Sequence, residues 1–212
     1  YAQGDINSGE SEEGSIGSTT IAEALRQARE DSMVKAIVFR VNSPGGSGLA
    51  SDVIWREVTL AKAVKPVVVS MGDLAASGGY YISCAADRIY AQPNTITGSI
   101  GVFGIIPNMK GFFNDKLGIT FDGVKTNTYA DMLTTSRPLN ADEKAIFQGY
   151  VDKFYETFKS RVAEGRKLPI ARVDSIGQGR VWTGTRAKEI GLVDEIGGLE
   201  AAIADAAQRA NL

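Results

Sequence analysis

Apolar runs alternate with segments of helical period along this chain. Val34–Val41 (VKAIVFRV) and Val67–Met71 (VVVSM) are short and rich in β-branched residues, the pattern of buried strands. Between them, Leu49–Ala63 spaces Val53, Ile54, Val58 and Leu60 at helical intervals. Ile21–Ala28 does the same with Ile21, Leu25 and Ala28, and Ser18, Thr19 or Thr20 could cap it. A short helix is expected from the turn at Ser77 to about Ala86, followed by strands at Arg88–Ala91 and Ile100–Ile106. Asn140-Ala141-Asp142-Glu143 has the form of a capping box with asparagine as the cap. The helix it opens carries Phe147, Val151, Phe154, Phe158 and Val162 on one face and ends near Gly165, a stripe that reads as core. A strand–helix–strand stretch, Arg180–Ile196, leads into an Ala-rich helix at Leu199–Ala210. Alternating β and α elements without a linker predict a single α/β domain over 1–212. Gly123–Arg137 is polar and without period, of a length at which loops tend to be functional or mobile.

Two of the predicted strands run into glycine-bearing turns, Pro44-Gly45-Gly46 and Ser77-Gly78-Gly79. Neither has the spacing of a phosphate-binding loop. In a parallel sheet the carboxyl ends of neighbouring strands open on one crevice, so the two turns are expected to face each other. A backbone N–H from Gly45 or Gly46 could then stand opposite that of Gly78, and two such donors aimed at one carbonyl oxygen make an oxyanion hole. Ser77, at the end of a buried strand and next to a free amide, is placed as a nucleophile would be. As a bland alternative, Ser77 would only cap a helix whose glycines permit close packing. The chain contains no histidine, so a Ser-His-Asp triad cannot be built from it. A lysine is the alternative base.

Composition narrows the field. Lys and Arg number 23 against 25 Asp and Glu, a net charge of −2 that gives no electrostatic reason to expect nucleic acid. Without histidine, a cysteine pair or an acidic cluster at ligand spacing, no metal is expected, and no cofactor is implied. The one cysteine, Cys84, lies in a mostly apolar run and reads as a small buried hydrophobe. No window approaches the ~18 continuous apolar residues of a membrane span. The opening YAQGDI reads as a strand cut at its start, so the chain is expected to be a processed piece with targeting elements upstream.

Three segments carry a family resemblance: Val41-Asn42-Ser43-Pro44-Gly45-Gly46-Ser47, Gly72-Asp73-Leu74-Ala75-Ala76-Ser77-Gly78-Gly79-Tyr80 and Thr97-Gly98-Ser99-Ile100-Gly101-Val102. Together with Ser136–Leu139, Gly179–Gly184 and Ala187–Asp194, in the same order, they resemble the signal peptide peptidase A family, also called protease IV. The resemblance implies a fold related to the Clp protease subunit and to crotonases. It also implies a membrane-attached serine protease that degrades leftover signal peptides with a Ser-Lys dyad. By it Ser77 is the nucleophile, Gly46 and Gly78 are oxyanion donors, and Ser99 helps position the lysine amine. A homo-oligomer at the bacterial inner membrane, anchored by an upstream segment and facing the periplasm or another extracytoplasmic side, is implied as well.

One departure bears on mechanism. Short members of the family carry the base lysine just before an aspartate in the loop corresponding to 125–137, and here that place is Ala130, followed by Asp131. The segment resembles the C-terminal half of double-length members, in which an N-terminal homologous domain supplies the lysine. By itself the chain is then expected to be weak or inactive. Lys125 is the in-chain rival base, although a polar loop offers little of the desolvation that lowers a lysine pKa. Two other functions fit the bare turns: a crotonase-like acyl-CoA enzyme, which needs a carboxylate and a basic patch not evident here, and a non-catalytic assembly module.

Overall fold

The computed structural model describes residues 1–212 as two compact units, one of Tyr1–Gly101 with Tyr155–Leu212 and one of Val102–Phe154. The larger unit is built on a seven-stranded sheet in which β1 (Ala2–Gln3), β4 (Ile37–Ser43), β5 (Val67–Ala76), β6 (Arg88–Ala91) and β9 (Glu195–Ile196) follow one another in parallel, while β7 (Ile96–Gly98) pairs with β5 and β8 (Val181–Thr183) with β7. β2 (Asp5–Asn7) and β3 (Ser15–Gly17) form a separate parallel pair. Helices α1 (Ser18–Glu30), α2 (Gly48–Lys62), α3 (Gly78–Ser83), α5 (Ile170–Ile176), α6 (Gly184–Glu189) and α7 (Leu199–Arg209) complete this unit, with the end of α4 (Ala141–Arg166). β-branched strands buried from both sides require helices on the faces, which is why the sheet is parallel and the crossovers helical. Val67, Val68, Val69, Met71 and Ile89 are completely buried, and Val68 packs on Ala202 and Ala206 of α7.

β5 is longer than the sequence pattern predicts. It continues through Met71-Gly72-Asp73 to Ala76 and changes neighbour on one edge, pairing β6 through Val68–Ser70 and β7 (Ile96–Gly98) through Leu74–Ala76. The gap at the change is closed by side chains: Thr95 donates to the Gly72 carbonyl at 2.7 Å, and Thr97 to Ala75 at 2.7 Å. On the other edge the β4–β5 register shifts between Val41 and Ser43, and the Asn42 side chain accepts the Leu74 amide left over. The strand expected at Ile100–Ile106 is instead β7, paired antiparallel with β8 (Val181–Thr183). The pairing runs on only as far as Ser99 and Ile100, which bond Arg180 and Gly179, and Gly179 at φ +74° then turns its own chain away. The cap expected from Ser18–Thr20 is not made: Gly17 precedes α1, and the Ser18 and Thr20 hydroxyls accept from the Gly9 and Ser11 amides.

In the smaller unit the capping box is present, with Glu143 N–H donating to Asn140 Oδ1 at 2.8 Å and Asn140 N–H to Glu143 Oε2 at 2.9 Å. Of the α4 stripe, Phe158 and Val162 are buried, whereas Phe147, Val151 and Phe154 are half-buried. A π-helical turn spans Phe112–Lys116, with Phe113 between Phe112 and Phe121 in edge contacts at 5.5 and 5.0 Å. No helix is long and apolar enough to cross a membrane.

Candidate active site

β4 and β5 end side by side, with Ser43 paired to Ala75, so the turns that follow them touch. A Cβ on Gly45 would sit 2.5 Å from the Gly78 nitrogen and 2.8 Å from Ser77 Cβ; one on Gly78 would sit 3.2 Å from the Gly46 nitrogen. Such contacts are possible only because both turns lack side chains there, and Gly45 also needs its φ of +106°. Ser43 fixes the first turn: its hydroxyl donates to Gly4 O at 2.7 Å and accepts the Gly45 amide at 3.1 Å. Beyond it, Ile6 bridges to Gly46, donating to Gly45 O and accepting from Ser47 N. With the Gly45 and Ser47 amides both committed, the Gly46 N–H is the donor this turn leaves open.

Ser77 is one of five non-glycine residues with positive φ, at φ 53° and ψ −119°. A conformation of that kind costs about 1–3 kcal/mol and persists only where neighbours over-determine it. Here they do. The Ser77 amide donates to Gly98 O at 2.9 Å, and its carbonyl accepts from Tyr81 N at 2.9 Å. Its side chain is half-exposed and makes no cap to α3, so the hydroxyl stays available. Gly78, as the first residue of α3, has an amide with no partner inside the helix. The two turns that meet at Ser77 thus carry two backbone amides, those of Gly46 and Gly78, of the kind an oxyanion hole is built from. Ser99, itself at φ 50°, follows the Gly98 that holds Ser77 and donates its own amide to Arg180 O at 2.8 Å.

The structure brings Ser77, Gly46, Gly78 and the Gly98-Ser99 turn together. In the larger unit Lys35, Lys62, Lys65, Lys159 and Lys188 are each bonded to carbonyls or carboxylates elsewhere, such as Ser32 O, Ala85 O, Ala28 O, Asp174 and Glu195. Lys125 belongs to the smaller unit. It is half-exposed and ion-paired to Asp131 at 3.2 Å. Arg137 holds that same aspartate at 2.9 Å and, with Lys125, brings its pKa down to about 2. Cys84 is buried against α4, and burial pushes its thiol up to about 12, leaving it inert. Sequence reasoning overlooked Ser43, Asn42 and Thr97, which align the two turns. The signal for Asn42 was present: a polar side chain at the end of an otherwise apolar strand.

A profile of peptidase family S49 matches residues 59–212. Protease 4 of Salmonella typhi is 46% identical over the whole chain, and Protease 4 of Haemophilus influenzae is 46% identical over 99% of it. The chloroplastic serine protease SPPA of Arabidopsis thaliana is 42% identical over 92%. The chain spans about a third of the length of these curated relatives, 34%, 34% and 30% respectively. Among solved structures, a ClpP1 mutant from Listeria monocytogenes superposes with a TM-score of 0.61 at 19% identity, covering 93% of this chain and 89% of that one. That likeness identifies the fold as the Clp protease fold.

Proposed function

Since this chain belongs to peptidase family S49, we propose that it is the nucleophile-bearing peptidase domain of a serine endopeptidase working through an acyl-enzyme. Ser77 Oγ attacks the scissile carbonyl carbon, and the oxyanion that forms accepts hydrogen bonds from the Gly46 and Gly78 amides. Each such donor is worth about 3–4 kcal/mol of transition-state stabilisation. Collapse of the intermediate expels the amine, and water then hydrolyses the acyl-serine. The observation that supports this reading is the contact between the two glycine turns at a serine held in a strained conformation.

A serine hydroxyl needs a base at neutral pH. The base in this proposal is a lysine from a homologous domain outside residues 1–212, steered by Ser99. Supporting it are Ala130 at the position of the loop lysine and the pairing of Lys125 with Asp131. Residues 1–212 alone are then weak or inactive. The proposed substrates are cleaved signal peptides, met at a bacterial inner membrane on its extracytoplasmic side by an oligomer anchored outside this segment.

Fluorophosphonate labelling of the full-length protein, mapped by mass spectrometry, tests the assignment. Modification of Ser77, absent in Ser77→Ala, is the expected result; modification of another serine with Ser77 untouched overturns it. Lys125→Ala is expected to leave peptide cleavage within about twofold, because an exposed ion-paired lysine is a poor base, and loss of all cleavage would make Lys125 the base.

A further inference from the structure

Tyr81 lies one helical turn beyond Ser77, and its amide donates to the Ser77 carbonyl. The side chain is completely buried, edge-on to Trp55 at 6.5 Å and tilted against Phe158 at 4.8 Å. Phenylalanine would fill that space equally well, but a buried hydroxyl has to be bonded. Its partner is the carboxylate of Asp52 on α2, at 2.6 Å, a charge-assisted bond stronger than one between neutral groups. Arg161 of α4 faces the same Asp52 oxygen at 3.5 Å, and its guanidinium lies 3.7 Å from the centre of the Trp55 ring. Burial and the Asp52 hydrogen bond both raise the Tyr81 pKa, so it stays a donor across the working pH range.

The two helices joined by this bond are the ones that follow the two turns. α2 begins at Gly48, two residues after Gly46, and Asp52 is in its second turn; α3 begins at Gly78. We propose that the Tyr81–Asp52 bond is a strut that sets the separation of the Gly46 and Gly78 donors, making Tyr81 and Asp52 positioning residues for attack by Ser77. This rests on Ser77 being the nucleophile. The backbone bond from Tyr81 ties the strut to the nucleophile's own residue, and Asp52 ties it to the helix that carries the other donor. Two donors shared by one oxyanion tolerate little relative movement, since a misplacement of about 1 Å can cost about a hundredfold in rate.

The test is made in the full-length protein with Tyr81→Phe, Asp52→Ala, Asp52→Asn and Ser77→Ala side by side. Tyr81→Phe keeps the ring and leaves the half-exposed Asp52 paired with Arg161, so folding is expected to survive with the midpoint of thermal unfolding nearly unchanged. The expected result is a kcat about tenfold or more lower, with KM within about twofold, because only the transition state feels the displaced donors. Asp52→Ala should match that loss, Asp52→Asn should recover most of it through its retained oxygen, and the pair Tyr81→Phe with Asp52→Ala should be no worse than either alone. Wild-type kcat in Tyr81→Phe with Ser77→Ala inactive overturns the strut and leaves the nucleophile standing. Full activity in Ser77→Ala overturns both.

Discussion

In the unit formed by residues 1–101 and 155–212, the central strands bury valine, isoleucine and methionine completely, and helices cover both faces. In residues 102–154 the one fully buried residue is a carboxylate, Glu143, while Phe103, Ile105 and Val124 are 84%, 82% and 102% exposed. Glu143 is held by a bidentate Arg137, at 2.7 and 2.8 Å, and by the Asn140 capping box; Arg137 also reaches Asp131, which takes Lys125. One region is thus fixed by apolar burial and the other by a chain of charge-assisted hydrogen bonds. The contrast explains where the strained residue sits. A serine at φ 53° needs surroundings that cannot yield, and a close-packed parallel sheet supplies them.

The contrast breaks if like substitutions in the two regions have like effects. Ile89→Ala, in β6, should lower stability by about 2–5 kcal/mol, whereas Ile105→Ala should change it by less than about 0.5 kcal/mol. Denaturant unfolding of both variants decides the point, and equal losses would show that residues 102–154 have a core of their own. Gly45→Ala comes next. An added Cβ would meet the Gly78 nitrogen at 2.5 Å in a backbone that disfavours side chains, so the two donors must part. Peptide turnover is expected to fall about 10²–10³-fold, the loss of one oxyanion donor. Gly123→Ala, where nothing lies within 4 Å, should leave turnover unchanged.

Acid should act on the smaller region through its network. Arg137 and the neighbouring donors bring Asp131 and Glu143 down from the ordinary 3.8 and 4.5 to about 2. Depressed carboxyls stabilise the folded form fully above their ordinary values, and that contribution disappears as the pH falls through this range toward 2. Limited pepsin digestion between pH 4.5 and 2 should therefore cut first within 122–143, increasingly at the lower end; first cuts in β5 or β6 would contradict it. The smallest effect is a gain. Gly149→Ala, in α4 with open space around it, should stabilise by about 0.5–1 kcal/mol, read as a raised midpoint of thermal unfolding.

The same contrast decides what could be read from the sequence. β-branched runs announced β4 and β5, and the glycine turns after them were legible as well, because burial on both faces leaves a continuous apolar signature. The end of β5 at Ala76 was hidden, since the strand reaches it only where Asn42, Thr95 and Thr97 take up the displaced bonds. Of the strand expected at Ile100–Ile106, the pairing partner ends at Gly179. The Tyr81–Asp52 bond joins residues 29 apart and leaves no local pattern. Nor does the Arg137 network, whose members are ordinary charges along a polar loop until geometry assembles them.

In the proposed reaction the Gly46 and Gly78 amides serve one oxygen on a group attached to Ser77. A crystal structure of the full-length protein with a phosphonate bonded to Ser77 Oγ tests it most directly. The account predicts a phosphonyl oxygen at hydrogen-bonding distance, about 3 Å, from both nitrogens. An adduct whose oxygen turns to solvent, with either amide bonded elsewhere, would contradict it.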